Sequence, residues 1–377
     1  MSVGSIVRAI EQVLPERRPL HHHEPSINGK EQAHVADCLK GGIGSDQYIK
    51  RLSRALSGFV GVEQAVCVSS GTAALHLALL AVGVQPGDEV LVPTLTFAAT
   101  ANAIKYAGAI PNFVDGKVGI NAYKLWSYLE REATKNPNGR GALNKKTGRV
   151  ISAIVVVDLL GVPADYAKLN EVAGAYGLFM IEDAAQALGS CSGNRKCGSF
   201  GDAATFSFNN NKIVTGNGGG AILTNNSWIA AKAYQLATTA RTSHPWLVEH
   251  DAIGFNYRLP SLNASLALAQ FDRLDDFLQA KKRLLTRYKE ALVDCDDVEV
   301  MDQGGNNWLI TLMLKPQHSK IRDEVLNALH ERSILARALF TPLHKLKIYE
   351  DCPRDNNLMY AEDTFQRAIC LPSGVEI

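Results

Sequence analysis

The segment that most constrains this chain is Val150–Val157, VISAIVVV. It is almost wholly apolar and rich in β-branched residues. It lacks the alternation of a strand with one wet face. Such a run must be buried on both faces, as the central strand of a parallel sheet covered by helices. The neighbouring sequence offers that setting. Gln64–Val68, Glu89–Pro93 and residues 110–115, 178–181 and 204–208 read as further strands. Residues 73–82, 96–107 and 165–176 read as the helices between them. The alternation from 64 to about 240 predicts an α/β fold with a mostly parallel sheet. After Gly254-Phe255-Asn256-Tyr257-Arg258-Leu259-Pro260 the pattern changes. One long amphipathic helix is expected over 261–292, strands over 298–301 and 307–314, and a helix over 321–332. The expected organisation is an N-terminal arm over 1–30, a large domain over 31–250 and a smaller C-terminal α/β domain over 251–377. The polar stretch 132–149 reads as an exposed insertion.

Composition narrows the function classes. A net charge of +1, with basic residues spread along the chain, gives no footprint for nucleic acid. No apolar run approaches membrane-spanning length, and the N-terminus has no long apolar core, so neither a membrane span nor a signal peptide is expected. Seven cysteines, an odd number without a CxxC pair, read as reduced thiols in a cytoplasm with no zinc site. The triplet His21-His22-His23 has no acidic or cysteine partners at ligand spacing, so no metal is expected there; a loop or a subunit contact fits better.

Four features fall in order on the large domain. Ser69-Ser70-Gly71-Thr72 joins a strand to a helix, a setting in which first-turn amides and hydroxyls can hold a phosphate. The same residues also suit an ordinary capped helix. Phe97 stands at a helix start. Glu182-Asp183 ends a buried strand, where α/β sheets bind ligands; an aspartate there is equally a helix cap. Lys212 follows the strand-like AATFSF and precedes the glycine-rich Thr215-Gly216-Asn217-Gly218-Gly219-Gly220. A buried lysine in that position is a candidate imine-forming nucleophile, although a surface lysine in a polar hairpin has the same local pattern. Pyridoxal phosphate requires all four together. It needs a helix N-terminus for its phosphate, a flat apolar partner for its ring, a carboxylate for its pyridine nitrogen and a lysine for its aldehyde.

The chain also resembles a known family. SSGTAALHLALLAVGVQPGDEVLVPTLTFAATANAI, IEDAAQALGS, GSFGDAATFSFNNNKIVTGNGGGAILT, IGFNYRLPSLNASLALAQ and LFTPLHKLKIYED resemble sugar-nucleotide aminotransferases of the DegT/DnrJ/StrS family. Those enzymes have the fold-type I, aspartate aminotransferase-like architecture. The resemblance implies that Lys212 binds the cofactor's aldehyde and later moves the proton. It implies that Asp183 pairs with the pyridine nitrogen, Gln186 lies near the ring's phenolic oxygen and Phe97 stacks on the ring. Gly71, Thr72 and Ser207 would hold the phosphate. Asn256 would reach it from a neighbouring subunit, which implies a homodimer with shared active sites. His344 matches a residue near the sugar-nucleotide pocket. Asp158 replaces a histidine that many relatives carry, and a changed substrate contact is expected there. The asparagines before Lys212 and the Thr215-Gly216-Asn217 after it also depart from commoner forms. The lysine separates the chain from the family's sugar dehydratases, which typically lack it.

The resemblance further implies ping-pong transfer of an amino group from L-glutamate to a keto-sugar nucleotide. GALNKKTGRVIS, Thr242-Ser243-His244-Pro245-Trp246 and Asn256-Tyr257-Arg258-Leu259-Pro260 resemble the branch that aminates C4 of UDP-linked 4-keto-6-deoxy-N-acetylhexosamines, in bacillosamine and legionaminic acid pathways. The same chemistry on a GDP- or dTDP-linked 4-keto or 3-keto sugar is the alternative. A non-catalytic regulator would carry a DNA-binding segment, which is not apparent. A nicotinamide enzyme would carry GxGxxG where this chain has Ser-Ser-Gly-Thr.

Overall fold

The computed structural model describes residues 3–42, 44–137, 139–302 and 304–377; Met1 and Ser2 of the expected arm lie outside them. The main sheet runs in the order Gln64–Val68, Gly220–Thr224, Ala203–Ser207, Phe179–Asp183, Val150–Val157, Glu89–Pro93, Ile110–Val114. Val150–Val157 is central, and every residue of it after Val150 is buried. The strands from Ala203–Ser207 to Ile110–Val114 are parallel. Gly220–Thr224 runs antiparallel to both its neighbours, so the sheet is mixed. The cause is local. The loop 208–219 contains no helix to carry the chain across the sheet, so the next strand must return alongside.

The polar stretch 132–149 differs from the expected exposed insertion. Ala133–Lys135 and Ala142–Asn144 pair as a hairpin, and the second strand joins the sheet beside Val150 and Ile151. Its polar residues have an inward task. Glu89 is fully buried, and its carboxylate accepts from Asn144 Nδ2 at 2.8 Å, Asn112 Nδ2 at 2.8 Å and Thr147 Oγ1 at 2.5 Å. A buried acid without such donors would be costly.

The expected helix over 261–292 is two helices, Ser261–Phe271 and Leu274–Ala291. The break falls at Arg273, whose guanidinium turns to Glu31 at 3.1 Å and to Ser26. A second sheet is antiparallel throughout, in the order Val298–Val300, Thr311–Leu314, Ala368–Cys370, Arg337–Ala338. The helix Val3–Val13 buries Ile6, Val7, Ile10 and Val13 in one apolar cluster with Tyr288, Leu312 and Leu329. Leu20–His21 then pairs in parallel with Ile334–Leu335, and His22 O accepts from Ser373 N at 2.8 Å. The N-terminal segment is therefore tied to the strand that leads into Arg337. Among the described residues no helix is long and apolar enough to cross a membrane.

Candidate active site

Lys212 leaves the strand Ala203–Ser207 through a tight turn in which its N–H donates to Asn209 O at 3.0 Å. Its stem is half-buried, and its Nζ lies 4.0 Å from the centre of the Trp308 ring. Burial pushes the ammonium down to about 8, with Arg337 acting in the same direction and the nearby Asp183 opposing both. Such a group holds a usable share of free amine near neutral pH.

Asp183 ends the strand Phe179–Asp183 and is 5% exposed. Burial raises its pKa, while Thr100, the Ala185 N–H and Lys212 lower it. Thr100 Oγ1 donates to Oδ2 at 2.8 Å and Ala185 N donates to Oδ1 at 3.2 Å, so the carboxylate is held in one orientation. The pair is a nucleophilic amine and a fixed anion on one wall, each shifted by the same burial.

The helix Gly71–Val82 begins beside them. Ser70 caps it by accepting from Ala73 N at 3.0 Å, which leaves the first amides without helical partners. A side chain at Gly71 would put its Cβ 2.7 Å from Ser207 Cβ, so glycine lets the Ser207 hydroxyl stand directly against the helix start. Gly220 is needed for the same reason: a Cβ there would lie 2.6 Å from the Ser70 carbonyl. Backbone amides, two serines and a helix dipole converge here, a setting suited to a phosphate.

One cavity of about 270 Å³ joins these groups. Gly71, Thr72, Phe97, Asp183, Gln186, Ser207 and Lys212 all line it. Phe97, 56% exposed, stands at the wall with its ring centre 5.5 Å from that of Phe340. Gln186 Oε1 accepts from Leu160 N at 2.7 Å, which leaves its NH₂ for the cavity.

Three expected residues lie off this wall. Asp158 is 0% exposed; its Oδ1 accepts from Ala164 N at 3.0 Å and Tyr166 Oη at 2.7 Å. That geometry gives it a structural task in the segment 158–166, with no face toward a substrate. Asn256 is exposed and bridges to the backbone of Thr238. His344 Nδ1 sits 2.7 Å from Thr94 Oγ1, and its Nε2 lies 3.0 Å from Glu362.

The wall also holds residues that sequence reading missed. Thr100 sits four residues after Thr96 on the turn below Asp183, a spacing that could have singled it out. Trp308 lies in a loop, because the strand expected from 307 begins only at Thr311. Its indole Nε1 donates to Asn211 O at 2.7 Å, and its N–H donates to Asn306 Oδ1 at 3.0 Å. Arg337 and Phe340 come from the second sheet and the loop after it. Nothing local in the sequence marks these last three.

The residues present fit pyridoxal phosphate: a cradle closed to any side chain at Gly71, an amine lowered by burial, and a fixed carboxylate on the same wall. Comparison with known proteins agrees. The DegT/DnrJ/EryC1/StrS aminotransferase family matches this chain over residues 25–377. A GDP-perosamine synthase of Escherichia coli O157:H7 is 34% identical, covering 93% of this chain and 92% of its own. EpsN of Bacillus subtilis (strain 168), named as a pyridoxal phosphate-dependent aminotransferase, is 34% identical, covering 93% of this chain and 89% of its own. The crystal structure of a DegT DnrJ EryC1 StrS aminotransferase from Brucella abortus superposes with a TM-score of 0.81 at 28% identity, covering 92% of this chain and 90% of its own.

Proposed function

From the premise that this chain belongs to the DegT/DnrJ/EryC1/StrS aminotransferase family, we propose that it moves the amino group of L-glutamate to C4 of a nucleotide-linked keto-deoxy sugar. That it is a pyridoxal phosphate-dependent sugar-nucleotide aminotransferase follows from the family and its fold-type I neighbours. The observation that carries the reading is the placement of Lys212 and Asp183 on one wall with the Gly71 cradle.

The bound cofactor supplies an aldehyde that holds amines reversibly and a ring that accepts the electron pair left when a C–H bond breaks. The chain's own residues do the rest. Gly71, Thr72 and Ser207 would hold the phosphate at the helix start. Asp183, fixed by Thr100 and Ala185, would pair with the ring nitrogen and favour its protonated form. Phe97 would stack on the ring. Lys212 Nζ takes the proton from the donor's α-carbon and later returns one to the sugar carbon that receives the amine. Positioned transfer of this kind contributes on the order of 10²–10⁴-fold. Trp308 sets its ring against Lys212 Nζ.

The acceptor is proposed as UDP-2-acetamido-4-keto-2,4,6-trideoxyhexose, which GALNKKTGRVIS, Thr242–Trp246 and Asn256–Pro260 support. A GDP-linked 4-keto sugar is the second reading, favoured by the relative named GDP-perosamine synthase. The test uses enzyme loaded with the amine form of the cofactor. UDP-, GDP- and dTDP-linked 4-keto sugars and a 3-keto sugar are added one at a time. The sugar that restores the yellow colour fastest identifies the acceptor. Restoration by the 3-keto sugar alone would remove the C4 assignment.

The active site is proposed to be completed by a second copy. Asn256 is exposed, and Trp246 and Ile253 nearby are 78% and 88% exposed, an apolar surface suited to a partner. Mixing an Asn256→Ala chain with a Lys212→Ala chain tests this. Restored activity requires shared sites, and none is restored if each site is made from one chain.

A further inference from the structure

Asn306 is not on the cavity wall, yet it holds two residues that are, Gln186 and Trp308. It is 5% exposed and precedes the strand Thr311–Leu314. Its Nδ2 donates to the backbone carbonyls of Gln186 and Leu188, both at 2.9 Å. Its Oδ1 accepts from Trp308 N at 3.0 Å. Both N–H donors and the oxygen of this amide are therefore engaged.

Three chain segments meet at this amide. Residues 158–161 leave the central strand, residues 184–190 follow Asp183, and residues 304–308 lead into the second sheet. Ser190 joins all three: its Oγ donates to Gly161 O at 2.6 Å and accepts from Asn306 N at 3.0 Å. Gly161 has a φ of +85°, and a Cβ there would overlap Asn306 Oδ1 and lie 2.9 Å from Gln186 O. A Cβ at Gly305 would overlap the Gly161 carbonyl. Glycine at both positions lets backbone close on backbone. The Gln186 side chain is fixed from the same junction, since its Oε1 accepts from Leu160 N. Trp308 is held at three points: its N–H by Asn306, its carbonyl by Lys281 at 2.9 Å and its indole by Asn211, the residue before the lysine. The N–H is the end that leads, through one side chain, to Gln186.

We propose that Asn306 is a positioning residue for the Lys212 site, acting through Gln186 and Trp308. It clamps the segment after Asp183 to the segment before the second sheet. Gln186 and the indole beside Lys212 Nζ are thereby kept in register across the cavity. Asn306 does no chemistry itself. Removing its amide leaves two carbonyls and one N–H without these partners, and the two segments must shift to find others. The inference rests on the aminotransferase reading, with Gln186 expected beside the ring's phenolic oxygen.

The test uses Asn306→Asp, which has nearly the same shape. It still accepts from Trp308 N but sets an oxygen against the Gln186 and Leu188 carbonyls, so the Gln186 side opens. Three quantities are read on cofactor-loaded protein: the rate at which L-glutamate bleaches the yellow colour, the pH at which that colour changes without L-glutamate, and the affinity for the cofactor. Bleaching should slow on the order of 10- to 100-fold, as for a misplacement of about 1 Å. The pH midpoint should move by about half a unit or more, because the hydrogen bonding at the ring oxygen changes. Cofactor affinity should change by less than about threefold, since the Gly71 cradle stands on other strands. A loss of stability alone would move neither the midpoint nor the bleaching rate of folded protein. In a Gln186→Ala background, adding Asn306→Asp should slow bleaching by less than about threefold more, because the two act as one unit. Asn306→Ser keeps one donor and one acceptor, so its loss should be smaller, and it serves if the aspartate variant folds poorly. Wild-type bleaching and midpoint in the folded variants would overturn the role. So would losses that multiply in the double variant. Failure of both single variants to fold and take up cofactor would also overturn it, by making Asn306 a residue of the fold alone. If the wild type keeps its colour with L-glutamate, the aminotransferase reading itself fails, and the role with it.

Discussion

Glu182 and Asp183 are neighbours on one buried strand and face opposite sides of the sheet. Burial pushes both carboxyls upward. Their surroundings then diverge. Asp183 faces a cavity, with Thr100 and Ala185 donating to it and the Lys212 ammonium in electrostatic reach. Glu182 faces a sealed cluster. It accepts from the N–H groups of Gly198 and Phe200, and its oxygen lies with Asp158 and Cys197 so that their polar atoms are all within 4.8 Å of one another. Two carboxyls buried side by side disfavour a second charge, which holds both pKa values up. Burial alone makes a carboxyl hard to ionise. A nearby ammonium and an open cavity make Asp183 the one suited to work as an anion.

Substitutions can break this contrast. The largest effect is expected for Lys212→Ala: cofactor is still bound, and turnover falls about 10⁴-fold or more. Glu182→Gln, on the sealed side, should keep turnover within about tenfold, because a lost hydrogen bond there does not touch the reacting atoms. Steady-state assays of both variants check this, and equal losses would erase the distinction. Asp183→Asn should reduce turnover by about 10²–10³-fold with the fold intact. Glu182→Gln should instead cost about 1–3 kcal/mol of stability, since an amide can accept for only one of its two backbone donors. Denaturant titration beside the kinetics separates the two outcomes.

Stability against pH sharpens the comparison further. In the cofactor-free protein the lysine's ammonium is disfavoured by burial, with a folded pKa of about 8 against 10.5. Below about 8 the wild type carries the full penalty, about 3 kcal/mol. Between about 8 and 10.5 the unfolded chain holds the proton and the folded one does not, so stability rises with pH. Lys212→Met should therefore be more stable than wild type at pH 7, and the gap should close as pH rises through that window.

Asp158 has the opposite sign. Its folded pKa is raised to about 6 from 3.8, so its contribution is present below about pH 4 and is lost as pH rises through 6. Asp158→Asn keeps an acceptor for Ala164 and Tyr166. It should flatten that fall in a series of melting curves from pH 4 to 7. The smallest effect is expected for Trp308→Phe. It keeps a ring over Lys212 but loses the Nε1 bond to Asn211, for about 1 kcal/mol of stability and a few-fold change in turnover.

What was legible in the sequence was local. Val150–Val157 could only be a buried strand, and it is the centre of the sheet. Lys212 and Gly71 follow strand ends and Asp183 closes one, where α/β folds gather ligands, and the structure brings them to one cavity. What stayed hidden depended on distant partners. The hairpin 133–144 joins the sheet because Glu89 needs donors from it. The helix breaks at Arg273 because Glu31, far upstream, holds its guanidinium. Trp308 and Arg337 reach the cavity from the second sheet region, and no spacing in the sequence announces that. Asp158 was expected near substrate because it stands where many relatives carry a histidine, but its side chain accepts from Tyr166 and it is not on the cavity wall.

The most direct test of the central claim is the visible absorption of the cofactor-loaded protein as L-glutamate is added, for wild type, Lys212→Ala and Glu182→Gln. If Lys212 and Asp183 are the working pair, wild type and Glu182→Gln lose their yellow colour and release 2-oxoglutarate, while Lys212→Ala does so far more slowly. A wild-type protein whose colour survives L-glutamate, or a Lys212→Ala protein that bleaches at the wild-type rate, would contradict the account.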